Sequence, residues 1–186
     1  GCVSNALAEL LSNPTAATID FVAINPTTCN GFDGKIIITG LAQGVSYTLN
    51  YSKNGTPQTP IFISNSISTS YVINGLTIGT YTDINVTQGV CTSNNLNLTL
   101  INPPLPAAPI DAFADPNPLC AGTFTDLTAT CVSGTLKWYD NATLTTLLTS
   151  TSVNPSATKI YYATCTANGC ESIPTELTVT VVNCIS

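Results

Sequence analysis

The eight cysteines are the side chains in this sequence that are best suited to chemistry. A cysteine can act as a nucleophile, ligate a metal or form a disulfide, and the first two roles usually need histidine or Cys-x-x-Cys spacing. This chain has no histidine and no Cys-x-x-Cys, and its closest pair is Cys165 and Cys170. The pattern therefore predicts disulfides, with no metal site and no cofactor. Disulfides indicate an oxidising location, either secreted or at the cell surface.

Catalysis has few candidate residues in this chain. The absence of histidine excludes the serine and cysteine triads that use it as a base. A carboxylate pair of the glycosidase type remains as a formal candidate. The acidic residues concerned lie in predicted turns or at strand ends, and they are Asp111, Asp115, Asp126, Asp140, Glu171 and Glu176. Because carboxylates at such positions ordinarily cap turns, we expect no catalytic residue and no enzyme activity.

The oxygen-rich loops contain candidate ligands for calcium. Asp33, Asp115-Pro-Asn117 and Asp140-Asn141 could supply the hard oxygen ligands that calcium needs. The spacing of an EF-hand is absent, and each of these residues also suits its turn without a metal. No metal site is therefore predicted.

The charge balance excludes two classes of partner. Four lysines face ten carboxylates, and the net charge is −6. Since no basic stripe is present to neutralise phosphates, we expect no nucleic-acid binding. No apolar segment of 18 residues occurs, so no membrane insertion is predicted.

Short apolar runs between turn residues predict an all-β fold. Seven strand candidates fall between residues 19 and 101, and six fall between 110 and 182. In the candidate Tyr81–Val86, simple alternation places Tyr81 and Ile84 on opposite faces. The proline-rich residues 102–109 (NPPLPAAP) are a predicted semi-rigid linker. The predicted domains are an N-terminal strand (1–14), a first β-sandwich (15–101), the linker, and an immunoglobulin-like sandwich (110–186).

Trp138, the single tryptophan, lies in the third strand candidate of the second domain. An immunoglobulin-type sandwich buries an aromatic residue at this position, so Trp138 is predicted to anchor the core. The sequence as a whole predicts two tandem immunoglobulin-like antiparallel β-sandwiches with an extra N-terminal strand.

One sequence motif occurs twice. Residues 89–103 read GVCTSNNLNLTLINP, and residues 1–14 read GCVSNALAELLSNP. The second copy closes the first domain, whereas no domain precedes the first copy. An orphan closing strand at residues 1–14 suggests one unit of a longer array or one subunit of a polymer.

Several turn-and-cysteine motifs resemble a known family. The runs Cys29–Ile36, Gly75–Tyr81 and Cys91–Asn94 resemble the SprB-type repeat of large Bacteroidetes surface adhesins. In the second domain, four motifs resemble the immunoglobulin-like modules that accompany those repeats; they are Leu119–Gly122, Gly134–Asp140, Tyr161–Cys165 and Asn168–Ser172. The resemblance implies tandem sandwiches at the cell surface, export by the type IX route and no catalytic residues.

The cysteine positions suggest a pairing. Cys29 and Cys91 would join the two ends of the first domain. Cys131 and Cys165 lie in strands expected to face each other beside Trp138, as in an immunoglobulin core, and Cys120 and Cys170 then lie in flanking loops. Four cysteines allow three pairings, so the sequence leaves the connectivity of the second domain open.

Cys2 and Cys184 are left over in this scheme. They would lie at opposite ends of two sandwiches, farther apart than the roughly 7 Å between Cα atoms that a disulfide tolerates. We therefore expect each to bridge to a neighbouring copy. Val3, Leu7 and Leu11 belong to a strand that would add to a sheet edge of that neighbour, with Cys2 bonded most simply to its Cys184. In the alternative, the chain is a fragment of a longer polypeptide whose other domains hold both cysteines.

Two classes of function remain. In the first, the chain is a structural building block of an extracellular filament or adhesin stalk, and its partners are copies of itself or neighbouring repeats. In the second, it is a carbohydrate- or host-binding adhesin module, and its partners are glycans. Tyr47, Tyr51 and Tyr71 are the candidate contact residues for the second class.

Overall fold

The computed structural model describes residues 16–184, and the chain forms two compact units. The first unit contains the residues up to Pro26 and Phe32–Ile101. The second unit contains Thr27–Gly31 and the residues from Asn102 onward. Among the described residues, no helix is long and apolar enough to cross a membrane. The predicted N-terminal strand 1–14, with Cys2, Val3, Leu7 and Leu11, lies outside this range.

The first unit is built from two antiparallel sheets. Its described strands are β1 (Asp20–Ile24), β2 (Gly34–Thr39), β3 (Tyr47–Lys53), β4 (Thr56–Pro57), β5 (Ile61–Ile63), β6 (Ser70–Leu76), β7 (Gly79–Gln88), β8 (Cys91–Thr92) and β9 (Leu96–Leu100). One sheet has the order β1-β2-β6. In the other, β3 pairs with β7, the short strands β4 and β5 lie along the outer side of β3, and β8 and β9 lie along β7. The arrangement is a β-sandwich.

One hydrophobic core lies between these two sheets. Ile36 and Ile38 of β2 face Leu49 of β3 and Tyr81 of β7, and all four side chains are fully buried. β2 is the central strand of its sheet. The buried side chains of β2 alternate with Lys35, Ile37 and Thr39, which are exposed or half-buried, so this strand is apolar on its core face.

A β-bulge in β7 changes the face on which Tyr81 lies. The register of β7 against β9 shifts by one residue between Tyr81 and Ile84. Asp83 lies in this bulge with φ of 55°, and its backbone N–H donates to Asn97 Oδ1 over 3.0 Å. The extra residue puts Tyr81 and Ile84 on the same, buried face. The prediction from simple alternation, which placed them on opposite faces, is therefore wrong.

The second unit repeats the two-sheet plan. Its described strands are β10 (Ile110–Asp115), β11 (Leu119–Cys120), β12 (Thr125–Thr130), β13 (Thr135–Tyr139), β14 (Ser152–Val153), β15 (Lys159–Ala167), β16 (Cys170–Glu171), β17 (Thr175–Val179) and β18 (Val181–Val182). One sheet has the order β10-β12-β14, and the other joins β13, β15, β16 and β17. β11 and β18 form a parallel pair.

Trp138 lies in the core of the second unit with 3% of its surface exposed. It is opposite Ala163 in the β13–β15 pairing, and it packs with Leu127 and Tyr161. Of the adjacent tyrosines in β15, Tyr161 is buried and Tyr162 is half-buried, as alternation along a strand requires. The fold is thus all-β, with two immunoglobulin-like antiparallel sandwiches in tandem, and the predicted fold class is confirmed for the described residues.

The proline-rich segment 102–109 contains no regular secondary structure. Asn102 Oδ1 accepts a hydrogen bond from the backbone N–H of Asn30 over 2.8 Å, and the Pro109 carbonyl accepts one from Thr175 Oγ1 over 2.7 Å. All four residues belong to the second unit. The segment predicted to be a spacer is therefore held at both ends within the second unit.

We expect truncation of a core isoleucine to destabilise the first unit. Ile36→Ala removes a fully buried side chain from a closed core and should lower the free energy of unfolding by about 2–5 kcal/mol. The measurement is urea unfolding followed by far-ultraviolet circular dichroism. Ile67→Ala is the matched control, because Ile67 is 93% exposed and its truncation should change stability by less than about 0.5 kcal/mol. Equal losses in the two variants would contradict the assignment of this core.

Candidate functional site

Among the candidate functional residues, the structure brings six cysteines together as three disulfides in the second unit. Cys29 is bonded to Cys170 across 141 residues of sequence, with a Cα–Cα distance of 5.0 Å. The backbone N–H of Cys29 also donates to the Asn168 carbonyl over 2.9 Å. The short segment Thr27–Gly31, which lies between β1 and β2 in the sequence, is thereby fixed in the second unit.

A second disulfide joins Cys120 to Cys184. Their Cα atoms are 5.5 Å apart, and 64 residues of sequence separate them. The parallel pairing of β11 with β18 brings Cys120 opposite Val182, and the backbone N–H of Leu119 donates to the Thr180 carbonyl over 3.0 Å. This bond closes the end of the chain onto the connection between β10 and β12.

The third disulfide joins Cys131, directly after β12, to Cys165 in β15. Because β12 and β15 belong to different sheets, this bond crosses the sandwich. Cys165 is fully buried and lies on the same face of β15 as Tyr161 and Ala163. It therefore borders the core that contains Trp138, as in immunoglobulin domains.

The observed connectivity corrects two of the expected pairings. The bond between Cys131 and Cys165 is the one predicted from the sequence. The predictions of Cys29 with Cys91 and of Cys120 with Cys170 are wrong, because Cys29 is bonded to Cys170. The prediction that Cys184 bridges to a neighbouring copy is also wrong, because Cys184 is bonded to Cys120 within the chain.

Two equivalent hairpins explain why the sequence misassigned the partner of Cys29. In the first unit, the backbone N–H of Val86 donates to Ser93 Oγ (3.0 Å), and the Ser93 N–H donates back to the Val86 carbonyl (2.9 Å). In the second unit, Cys165 and Ser172 exchange the same two hydrogen bonds at 2.9 Å each.

Each serine hydroxyl also donates to the carbonyl of the following residue. Cys91 and Cys170 therefore occupy the same position, two residues before the serine of each hairpin, opposite Gln88 and Ala167 respectively. In the sequence, both hairpins contain a Cys-x-Ser motif after a glycine turn, and this motif indicates that they are equivalent. Local sequence cannot distinguish two cysteines in equivalent hairpins as partners of Cys29.

Glu171, which the sequence predicts to be a turn cap, forms a polar cluster next to Cys170. Its Oε1 accepts hydrogen bonds from Tyr139 Oη (2.7 Å) and Thr164 Oγ1 (2.6 Å). Burial opposes ionisation of this carboxyl, but the hydrogen bonds from Thr164 and Tyr139, together with nearby Lys137, outweigh it and lower the pKa of Glu171. Burial, followed by the hydrogen bond to Glu171, raises the pKa of Tyr139 to about 12. The cluster joins β13, β15 and β16.

The other candidate residues are dispersed. Tyr47 is buried, and its hydroxyl accepts a hydrogen bond from the backbone N–H of Ala42 over 3.1 Å, so it belongs to the core. Tyr51 and Tyr71 are half-buried. Asp140 forms an ion pair with Lys159. In residues 16–184, no group of three or more histidine, cysteine or carboxylate side chains is arranged to hold a metal ion.

The second unit is similar to a known protein family. Residues 106–182 match the protein family described as Ig-like domain CHU_C associated. This part of the chain is similar to that family of immunoglobulin-like domains. Such domains, together with three disulfides, are typical of extracellular or cell-surface proteins with structural or adhesive roles, and the fold is generally not enzymatic. The resemblance of the first domain to the SprB-type repeat stays a prediction.

Solved structures and curated proteins add little to this match. The chain resembles a two fibronectin type-III domain segment from chicken tenascin, with 15% identity, 87% of this chain and 97% of that chain covered, and a TM-score of 0.35. It also resembles murine CEACAM1b, with 10% identity, coverages of 88% and 100%, and a TM-score of 0.36. The curated proteins give no match. Because both TM-scores are below 0.5, the fold assignment rests on the strand pairing and the cores.

We expect Glu171 to make the stability of the second unit depend on pH. Because folding lowers its pKa below 4.5, Glu171 stabilises the folded state above that pH, and this contribution is lost as the pH falls through the folded pKa. Glu171→Gln should therefore be less stable than the parent at pH 7, and the difference should shrink at about pH 2. Urea midpoints of both proteins at several pH values provide the measurement.

Glu176→Gln is the control for this experiment, since Glu176 is exposed on the neighbouring strand β17. It should behave as the parent protein does over the whole pH range. A difference between the Glu171 variant and the parent that stays constant down to pH 2 would contradict the role assigned to this carboxyl.

Proposed function

We propose that this chain is a structural building block of an extracellular filament or adhesin stalk, without enzyme activity. The observation that carries the proposal is the Cys29–Cys170 bond, which encloses 141 residues in one covalent loop. Strands β2 to β15 lie entirely within this loop. A chain cross-linked in this way is suited to bear tension in an oxidising environment.

The covalent path through the Cys29–Cys170 bond explains why the chain is suited to bear tension. Tension that enters before Cys29 and leaves after Cys170 passes through the disulfide and bypasses the enclosed loop. Only the short stretches Ala16–Cys29 and Cys170–Cys184 of the described chain then bear the full load. The hydrogen bonds of the first unit from β2 to β9 are therefore shielded from a force that acts along the chain.

Head-to-tail assembly through β-strand addition would extend this block into a fibre. Residues 1–14 repeat the sequence motif that contains β9. Val3, Leu7 and Leu11 therefore belong to an alternating apolar pattern, which is typical of a strand that can join a sheet. Among the described strands, β1 is hydrogen-bonded to β2 alone, and β9 to β7 alone. Each therefore has one edge that is not paired with another described strand. The resemblance to SprB-type repeats of secreted surface proteins supports the same role.

We propose that Cys2 takes part in this assembly by forming a disulfide with an adjacent copy. The partners of the chain are then copies of itself.

Force spectroscopy tests the tension path. With pulling handles at both termini, the oxidised protein should extend only by the stretches outside the Cys29–Cys170 loop. In Cys29→Ser/Cys170→Ser, the Cys120–Cys184 bond still bypasses residues 120–184, so the load-bearing path gains residues 29–120 and loses residues 170–184. Unfolding should therefore add about 77 residues, or about 270 Å of contour length. The control is Cys131→Ser/Cys165→Ser, because that bond lies inside the loop and its loss should not change the final extension. Full-length extension of the oxidised parent would contradict the proposal.

Electrophoresis without reductant tests the assembly separately. The parent should form a ladder of oligomers that collapses on reduction, and Cys2→Ser should abolish it. Cys29→Ser/Cys170→Ser is the control, and its ladder should persist. In a mixture of nitrogen-14 and nitrogen-15 protein, a cross-linked peptide with one chain of each isotope should appear beside the two unmixed forms. A ladder that survives Cys2→Ser, or a cross-link confined to single chains, would contradict the assembly scheme.

A further inference from the structure

A cleft in the first unit is lined by aromatic and polar side chains that have no part in the proposed structural role. It has a volume of about 320 Å³, and its polar and aromatic lining includes Phe32, Tyr51, Lys53, Gln58, Asn74 and Thr77. This volume lies at the lower end of the range for small-ligand sites, about 300–1,000 Å³. None of the residues that line the cleft is a carboxylate.

Two β-bulges shape this cleft. The bulge at Asp83 in β7 lies opposite Tyr51 of β3, since the β3–β7 register shifts between Asn50 and Ser52. The second bulge lies in β6, where the register against β2 shifts between Gly34 and Ile36, and it includes Asn74 and Gly75. Bulges re-aim side chains and are frequent beside binding sites.

Gly75 lines the cleft in a left-handed backbone conformation. Its φ is 71°, which favours glycine, and the nearest atom to an added Cβ would be the Phe32 carbonyl oxygen at 3.8 Å. The backbone conformation, rather than crowding, therefore selects glycine at this position.

Lys53 places a positive charge in the cleft. Its Nζ donates to Thr77 Oγ1 and lies 5.9 Å from the centre of the Tyr81 ring. Tyr81 is fully buried, and its hydroxyl donates to the Thr77 carbonyl over 2.8 Å, so the core holds the residues around this ammonium group in place. Because the lining has no carboxylate, the ammonium group is poised for an anionic ligand.

The rest of the lining suits a sugar ring. Phe32 is 76% exposed, and Tyr51 lies with its ring centre 6.2 Å from that of Tyr81. An aromatic ring offers a flat apolar surface to the C–H face of a pyranose. The amides of Gln58 and Asn74 can donate to and accept from hydroxyl groups. A ligand that uses all of these groups has an apolar ring face, several hydroxyls and a carboxylate.

We propose that this cleft binds an acidic sugar, namely a hexuronic acid residue of a polysaccharide. The carboxylate binds Lys53, the ring lies against Phe32 and Tyr51, and the hydroxyls contact Gln58 and Asn74. The inference goes beyond the building-block role, and the carbohydrate-recognition alternative thereby acquires a defined site. The residues involved are distinct from the cysteines that test assembly, so either proposal can fail without the other.

Titration of the full chain with oligogalacturonate, followed by calorimetry or by NMR shifts, tests the proposal. Lys53→Gln should weaken binding by about tenfold or more, because it removes a charge-assisted hydrogen bond. Phe32→Ala should weaken binding to a similar extent, and its exposure predicts that folding is unaffected. Lys35→Gln is the matched control, since Lys35 is an exposed lysine of β2 outside the cleft, and its affinity should equal that of the parent.

Further ligands distinguish the chemistry of the site. A neutral oligosaccharide such as maltohexaose should bind at least tenfold more weakly than oligogalacturonate. Polyaspartate should likewise bind weakly, because it lacks the sugar ring. Equal binding of polyaspartate would overturn the assignment to sugars. Unchanged affinity in Lys53→Gln, with circular dichroism that shows a folded protein, would overturn the site itself, as would an equal loss in Lys35→Gln.

Discussion

The bond between Cys29 and Cys170 is the constraint on which the path of the chain depends. It fixes Thr27–Gly31, which separates β1 from β2 in the sequence, within the second unit. The chain therefore passes into the second unit at Thr27, returns at Phe32 and enters it again at Asn102. In the chain-entropy account, closing a loop of 141 residues stabilises the folded state by about 5 kcal/mol. The cross-link thus accounts for the placement of Thr27–Gly31 in the second unit.

The two units reach stability by different means although their strand plans agree. Thirteen buried side chains form the main core of the first unit, and isoleucine, leucine and tyrosine dominate it. The corresponding core of the second unit has seven, two of which are alanines. Small cores supply little hydrophobic stabilisation and are commonly reinforced by disulfides. All three of the described disulfides accordingly join residues of the second unit.

A β-bulge in the first unit determines which side chains lie around its cleft. A regular β7 would turn Tyr81 away from the core, and the one-residue bulge at Asp83 turns it inward beside Tyr51. The buried Tyr81 then supports Thr77 and Lys53. The second unit places its polar cluster differently, with Glu171 held by Tyr139 and Thr164 next to Cys170. Equivalent strands therefore carry different chemistry in the two units.

The sequence by itself determined the all-β class and the burial of Trp138, because alternation and turn residues are local signals. It also predicted the Cys131–Cys165 bond, since a cross-sheet bond beside a core tryptophan recurs in immunoglobulin folds. Only the tertiary structure decided the partner of Cys29, because Cys91 and Cys170 occupy equivalent hairpins that local sequence cannot tell apart. The same holds for Tyr81, whose face depends on a bulge set by the pairing of β7 with both neighbouring strands. Local pattern specifies strands, whereas pairings between distant residues depend on which strands meet in space.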